Sequence, residues 1–297
     1  MKKIILTITA LWLAGVMYAQ KQEVSATKVG NRIDVTIGEQ FFTSYRFQPD
    51  EKYPFFFPVN GPVSGAGVTS MRNGQYPHHS SLFFGCDRVN GGNYWQEGLE
   101  RGRIISVGAR IVEAKGERVV IEDECLWKRP DAEAPIMDRR KIIISAPSPE
   151  LYQLDFDIEM EMLIDVTIQK TNHSLFSARV DPDLTVKQGG VMINSEGKQG
   201  EKGTFGVGAA WIDCYGERKT GKEGIAIMQH PSNRWYPSPW FTRDYGFMSP
   251  TPMYWSENGK TTDLKKGEKA LRYRVLIHKG DSQEAGIATL FEQYMKE

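Results

Sequence analysis

The alternation of hydrophobic and polar positions predicts a chain built mainly from β-strands. Over residues 151–163 apolar residues recur at every second position, and four acidic residues lie between them. A period of two places alternate side chains on opposite faces of a strand, so one face packs on a core while the other meets water. We interpret the acidic face as a solvated outer face, because neighbours on one face of a strand lie about 6–7 Å apart.

Shorter segments with strand-like composition recur along the chain between glycine-rich turns. They cover residues 32–38, 41–47, 54–62, 78–85, 103–113, 117–127, 141–145, 166–171, 174–180, 209–215, 224–230 and 271–278. Segment 54–62 lies between prolines, which lack the N–H group that a ladder needs, so it is expected at a sheet edge. Only the end of the chain is predicted to be helical, because Asp281 and Glu284 form a capping box ahead of apolar residues at helical spacing.

Many short strands separated by turns are typical of all-β proteins. We therefore predict a large antiparallel β-sandwich of the supersandwich type, with a C-terminal helix. No change of composition marks a second domain, so residues 20–297 are expected to form one domain.

The first nineteen residues have the pattern of a secretory signal peptide. Lys2 and Lys3 precede an apolar run from Ile4 to Val16, and Ala19 is a small residue at the expected cut. The apolar run is too short to span a bilayer comfortably, and no later stretch is apolar enough to do so. We expect a periplasmic or secreted protein without membrane insertion.

Charge and cysteine content exclude several classes of protein. Without residues 1–19, 35 basic and 37 acidic residues remain, so the mature chain has no long-range attraction for nucleic acid or an anionic membrane. The three cysteines, Cys86, Cys125 and Cys214, lack the spacing of a zinc ribbon and leave open one disulfide or three buried thiols. We predict no metal and no cofactor, because the sequence has no HExxH motif, phosphate-binding loop or dinucleotide-binding fingerprint.

The most informative stretch covers residues 76–95 and contains the adjacent pair His78–His79. An apolar run and then a glycine-rich turn follow the pair, which indicates a strand over residues 78–85. In a strand the two side chains would point to opposite faces, one into the core and the other toward a cleft or solvent. A histidine with a pKa near neutrality is suited to act as an acid or base.

Candidate partners of these histidines follow them in the sequence. Asp87 is the nearest carboxylate, and Asp181 is the next candidate. Asn90 and Trp95 lie in or just after the glycine-rich turn and are candidate ligand-binding residues, one by hydrogen bonding and one by stacking.

A second informative stretch runs from His230 to Pro250. Its four prolines predict an irregular loop, which either forms part of a site or folds back as a plug over one end of the sandwich. His230, which ends a predicted strand, is a candidate acid or base. Aromatic and charged residues of the loop are suited to stack on a sugar ring and to hydrogen-bond its hydroxyl groups; the candidates are Arg234, Trp235, Trp240, Arg243 and Tyr245.

We expect the two stretches to meet. Neither stretch alone offers both acid–base groups and a stacking surface. The prediction is that His78 or His79 lies within about 10 Å of His230 or Arg234, in the largest pocket at one end of the sandwich.

The two stretches and the leader resemble the exported bacterial family catalogued as PmoA-like ("methane oxygenase"). The resemblance is carried by His78-His79, Gly85, Asp87, Asn90-Gly91, Tyr94-Trp95, Pro58 to Pro62 and His230 to Arg234 with Trp240, Arg243 and Tyr245-Gly246. It implies a sandwich similar to the galactose-mutarotase-like sandwiches of bacteria that degrade polysaccharides. A membrane methane oxygenase needs several spanning helices and a copper or iron site, which this sequence does not indicate.

The preferred hypothesis is therefore an exported carbohydrate-active protein that binds a small-molecule or oligosaccharide ligand. Histidine and carboxylate would carry out acid–base chemistry as in a lyase, epimerase or hydrolase, and Arg234 or Arg243 would stabilise an oxyanion. Two alternatives stay open, a non-catalytic glycan-binding module and a metal-dependent oxidoreductase built on His78, His79 and His230.

Overall fold

A computed structural model describes residues 21–96 and 98–297 of the chain. The predicted signal peptide lies outside the described residues. Within them, no helix is both long enough and apolar enough to cross a membrane.

Two large antiparallel sheets contain most of the strands among the described residues. The first sheet contains, in spatial order, β17 (Trp240–Arg243), β18 (Phe247–Pro250), β13 (Ser174–Arg179), β5 (Leu82–Cys86), β4 (Phe55–Val59), β3 (Gln40–Arg46), β2 (Arg32–Ile37), β1 (Val24–Val29) and β8 (Lys115–Gly116). The second contains β14 (Val191–Asn194), β15 (Trp211–Arg218), β16 (Gly221–Gln229), β20 (Gly267–Lys279), β11 (Leu151–Met162), β10 (Ile136–Ser148), β9 (Arg118–Lys128) and β6 (Arg103–Ser106), with β7 (Arg110–Glu113) also paired to β9.

Smaller elements complete the fold. A two-stranded ladder joins β12 (Val166–Gln169) to β19 (Thr261–Leu264), and a short helix α1 covers Gly200–Thr204. The C-terminal helix α2 (Ile287–Tyr294) packs Phe291 and Tyr294 on the outer face of the second sheet. The predicted capping box forms ahead of α2, where Glu284 accepts from the Asp281 amide at 2.9 Å and Asp281 accepts from the Glu284 amide at 3.0 Å.

The two sheets pack face to face over one hydrophobic core. Phe56 of the first sheet lies 5.7 Å from Phe156 of the second, measured between ring centroids, and Phe176 stacks on Tyr273 at 4.7 Å. Burial alternates along the whole of β11, as its sequence predicts. The prediction of an all-β sandwich with a C-terminal helix is confirmed.

The outer face of the first sheet is also covered at one end. Every residue of β5 and of β13 is buried, on both faces of the strand. Inner-face residues such as Phe176 pack on the second sheet, so their neighbours Ser177 and Arg179 point outward. The loops that cover this outer face build the candidate site.

Three local predictions are wrong. Segment 54–62 is not an edge strand, because β4 lies between β3 and β5. The ladder between β3 and β4 is irregular beside Pro58. The strand after the histidine pair begins at Leu82, so both histidines precede it. The stretch to Pro250 is not irregular throughout, because β17 and β18 form a hairpin that pairs with β13.

Candidate functional site

The histidine pair lies in a turn that leads into β5. The His79 carbonyl accepts from the Arg72 amide at 2.7 Å, and the Tyr53 hydroxyl donates to the His78 carbonyl at 2.6 Å. The two imidazole rings are 4.5 Å apart and nearly perpendicular. Because neither residue is in a strand, the two side chains do not point to opposite faces, and they lie together on the outer face of the first sheet.

A third histidine and a carboxylate join the pair because β5 and β13 are antiparallel neighbours. Asp87 follows β5 and His173 precedes β13, and the Asp87 amide donates to the His173 carbonyl at 3.0 Å. His173 Nδ1 lies 3.2 Å from Asp87 Oδ2, with the carboxylate buried and the imidazole 19% exposed. The His173 ring is 5.4 Å from the ring of His78.

Aromatic side chains enclose the histidines. The ring of Tyr76 stacks on His79 at 5.0 Å and on Tyr245 at 4.4 Å, and Phe247 stacks on the other side of His79 at 4.5 Å. Trp95 lies 5.6 Å from the His173 ring. Tyr245 and Phe247 belong to the β17–β18 hairpin, so the second half of the 230–250 stretch does meet the histidine pair.

Arg179, at the end of β13, supplies the one charged guanidinium of this group. It is 5% exposed, and its guanidinium carbon lies 4.4 Å from the Tyr245 ring centroid and 5.3 Å from that of Tyr76. We call the whole group the histidine site; it comprises Tyr76, His78, His79, Asp87, Trp95, His173, Arg179, Tyr245 and Phe247.

Several buried polar atoms of the histidine site have no hydrogen-bond partner. They are His79 Nδ1, Asp87 Oδ1, Trp95 Nε1, and Nε and Nη1 of Arg179. These five are nearly half of the eleven such atoms found among the described residues. An unsatisfied buried polar group costs about 1–3 kcal/mol, so their concentration in one place indicates a site that a polar ligand or water fills.

Burial keeps the two adjacent histidines neutral. It lowers the pKa of His79 to about 2, with further lowering by His78 and Arg179, and it lowers the pKa of His78 to about 4. Burial also lowers the pKa of Arg179, but an arginine keeps its charge far above neutral pH. At pH 7 the site therefore combines two neutral imidazoles with one guanidinium cation.

Of the twelve residues proposed from the sequence, the structure brings five into the histidine site: His78, His79, Asp87, Trp95 and Tyr245. Asn90 instead holds two loops together. Its side-chain Nδ2 donates to the Asp165 carbonyl, and its Oδ1 accepts from the backbone amide of Thr167. Trp240 is fully buried and donates to the Ala209 carbonyl. Asn90 and Trp240 thus have structural roles.

Arg243 and Asp181 also lie outside the histidine site. Arg243 packs on the ring of Phe241, 4.0 Å from its centroid, and pairs with Glu201 at 3.3 Å. Asp181 lines an open pocket of about 740 Å³ beside residues 67–74. Burial and the neighbouring Asp183 raise the pKa of Asp181 to about 6.

The prediction that the pair shares a pocket with His230 is wrong. His230 Nε2 lies 3.1 Å from Arg272 Nη1, and its ring contacts Tyr294 of α2 at 5.0 Å. These contacts are on the outer face of the second sheet, whereas His79 is on the outer face of the first. A pocket of about 920 Å³ on the second sheet includes Arg272 but neither histidine of the pair.

Arg234 and Trp235 line a different pocket, of about 430 Å³, at the loops that flank the small β12–β19 ladder. Its remaining wall contains Tyr236, Pro239, Pro252, Trp255, Ser256, Glu257, Asn258 and residues 261–263. Aromatic rings and hydrogen-bonding groups therefore do occur together in this stretch, but apart from the histidines.

Four residues of the histidine site were not predicted from the sequence: Tyr76, His173, Arg179 and Phe247. The signal for His173 and Arg179 was their position at the two ends of one predicted strand. Neither could be assigned to the site without knowing that this strand pairs with β5. Among the described residues, no group of three or more His, Cys, Asp or Glu side chains is placed to hold a metal ion.

The fold and the site define an all-β sandwich protein with a largely buried histidine–aromatic site on one outer face. The chain belongs to DUF6807, a family of unknown function, which it matches over residues 32–292. No curated protein matches the chain. The resemblance to the PmoA-like family stays a prediction.

Solved structures also match the chain, and one of them covers most of it. It is a mutant of the heparan sulfate lyase HepC from Pedobacter heparinus, with a TM-score of 0.33 and 10% sequence identity over 84% of this chain. The chain spans 34% of the length of that lyase structure. A similarity at this level carries no argument about function.

Proposed function

We propose that this chain is an exported carbohydrate-active protein in which the histidine site moves a proton on a sugar. One observation carries the proposal: the Asp87–His173 pair and two neutral imidazoles meet where five buried polar atoms lack partners. Acid–base residues that lie together with unfilled hydrogen-bonding capacity support an active site. Membership of the PmoA-like family is part of this proposal, because the motif contributes His78, His79, Asp87 and Trp95.

The contacts support separate roles for the residues of the histidine site. Asp87 orients the His173 ring through Nδ1, which leaves Nε2 as the nitrogen that exchanges a proton with the ligand. His78, which is partly exposed, is a second imidazole that a ligand can reach. Tyr245 is also partly exposed and offers a ring face on which a sugar can stack.

The number of carboxylates decides between reaction classes. Glycoside hydrolysis commonly uses two carboxylates that flank the scissile bond, whereas the histidine site contains one, Asp87. Proton abstraction by a neutral imidazole needs no second carboxylate. The geometry therefore favours a lyase or an epimerase over a hydrolase.

Hydrogen exchange in deuterated buffer tests this function. The protein is incubated with a panel of monosaccharides and oligosaccharides, and NMR follows loss of C–H signals and appearance of products. We expect His173→Ala to slow exchange by about 10²–10⁴-fold, the usual contribution of a general acid or base. His230→Ala is the matched control, since this histidine lies on the opposite face, and it should retain the rate. Equal rates in His173→Ala and the wild type would reject the proposal.

A second candidate function is glycan binding without turnover. The observation that favours it is the 430 Å³ pocket, in which Trp235 and Trp255 lie beside Asn258 and Asp263. Trp235→Ala should weaken retention on a glycan in affinity electrophoresis, while His173→Ala should not. The opposite result would assign binding to the histidine site.

A further inference from the structure

We propose that Arg179 binds the carboxylate of a sugar acid, so that the ligand of the histidine site is a uronate rather than a neutral sugar. This inference rests on the proposed function and names its substrate class. The observation behind it is a buried cation whose Nε and Nη1 donors have no acceptor.

No carboxylate of the described residues forms an ion pair with this guanidinium, and Asp181 acts on its charge only from a longer distance. No carboxylate of the described residues lies within 4.0 Å of it, whereas the buried Arg140 and Arg274 are each paired with an aspartate. Tyr76 and Tyr245 contact the guanidinium, but their rings offer the N–H groups no oxygen acceptor. A buried charge is costly unless it is paired, and arginine cannot lose its proton to avoid that cost.

The position of Arg179 relative to the bases explains why the anion should be part of the substrate. Both Arg179 and His79 are neighbours of the Tyr76 ring, at 5.3 Å and 5.0 Å. A carboxylate on Arg179 would thus hold its adjacent carbon close to the histidines. Neutralising that carboxylate makes the C–H bond beside it more acidic, which is the step that an imidazole base requires.

The proposed reaction of a uronate at the histidine site needs no further reactant. A histidine removes the proton from C5, and the C–H electron pair moves into the carboxylate as an enolate. The enolate either takes a proton back on the opposite face, which inverts C5, or expels the oxygen on C4 as the C4–C5 double bond forms. In the second case the leaving oxygen takes a proton from a protonated histidine.

Calorimetry on the full-length wild-type protein gives the first test. D-Glucuronate and D-galacturonate are compared with D-glucose and D-galactose, which lack only the carboxylate. We expect each uronate to bind at least about tenfold more tightly than its neutral partner, a ratio equivalent to about 1.4 kcal/mol. Neutral sugars that bind as tightly as uronates would overturn the inference, and this result needs no variant.

Substitutions then assign the preference to a residue. Arg179→Met should abolish the preference for uronates and Arg179→Lys should retain part of it, because lysine keeps the charge but not the planar guanidinium. Arg243→Met is the matched control, since Arg243 also packs on aromatic rings of the same sheet but pairs with Glu201. It should leave the preference unchanged. A preference that survives in a folded Arg179→Met variant would overturn the assignment.

The results separate this inference from the proposed function. Uronate binding that depends on Arg179, with no hydrogen exchange, would support anion recognition and reject proton transfer. Exchange on neutral sugars that depends on His173 would support proton transfer and overturn the uronate assignment. Absence of both binding and exchange across the panel would overturn both.

Discussion

Burial determines the charge of the adjacent histidines. His79 is 3% exposed, and its ring lies between Tyr76 and Phe247, where a positive charge has no water to stabilise it. The nearby Arg179 adds electrostatic repulsion. The pair consequently stays neutral through the pH range in which a free histidine becomes charged.

Acidification should therefore destabilise the protein. The pKa values of His78 and His79 in the folded state, about 4 and about 2, lie below the unfolded value of about 6.5. Between those values the unfolded chain binds more protons, so stability is full above about pH 6.5 and is lost as the pH falls. From pH 7 to pH 5 the free energy of unfolding should drop by about 2 kcal/mol for each of the two histidines, measured by urea denaturation.

The variant His79→Gln checks the origin of this effect, because glutamine cannot take up a proton in this range. Its stability should change less between pH 7 and pH 5 than that of the wild type. An identical pH dependence would assign the effect to other groups.

The sequence left open whether the three cysteines form one disulfide or remain buried thiols, and their surroundings in the structure answer this. Cys86, Cys125 and Cys214 are free thiols, and all are buried. Burial raises the pKa of each thiol well above its ordinary value.

A thiol that is buried and protonated reacts slowly, because the thiolate is the reactive form. We expect Ellman's reagent to detect no thiol in the native protein and three after denaturation without reductant. Fewer than three in the denatured protein would show that a disulfide is present.

The β17–β18 hairpin is the element that the sequence concealed. Prolines at 237, 239 and 250 lie before the hairpin or at its last residue, so residues 240–249 are free to form ladders. The prediction of an irregular loop counted all four prolines of the stretch from His230 to Pro250 and therefore overlooked this segment without proline. Strand alternation, in contrast, was readable wherever one face is buried along the element, as in β11.

Gly246 fixes the turn of this hairpin. Its φ of +91° disfavours other residues, and a Cβ atom there would lie 2.5 Å from Thr185 Cγ2. Gly246→Ala should lower the free energy of unfolding by about 2–3 kcal/mol, through backbone strain and overpacking. Gly259→Ala is the matched control, with φ +71° but open space around it, and should cost only about 1 kcal/mol. Thermal denaturation distinguishes the two, and equal losses would show that the close contact has no effect.

At the scale of the molecule, the fold was predictable from local patterns and the site was not. Alternation and turns are properties of neighbouring residues, so they define the class of fold. The site instead depends on contacts between distant parts of the chain, such as His173 with Asp87 across a separation of 86 residues. The histidine site contains four predicted residues that cluster in sequence, His78, His79, Asp87 and Trp95, but of the second stretch it contains only Tyr245 among the predicted residues.

A buried hydrogen bond connects the two sheets. The Tyr45 hydroxyl, on β3, donates to Asp123 Oδ2 on β9 at 2.7 Å. Tyr45→Phe removes this donor while Ser106 still donates to the other carboxylate oxygen at 2.6 Å. We expect a loss of about 1–3 kcal/mol in the free energy of unfolding, measured by urea denaturation. No loss would mean that Asp123 finds a new partner.

The histidine site is built on the outer face of a sheet whose inner face forms the core. Most of its groups come from the turn before β5, the loops after β5 and before β13, and the tip of the β17–β18 hairpin, and Arg179 and Phe247 come from the ends of β13 and β18. Substitutions in these segments alter the chemistry of the site without altering the layer between the sheets. The scaffold therefore does not constrain these segments, so transplanting them from another member of the family should change what the site binds while the chain still folds.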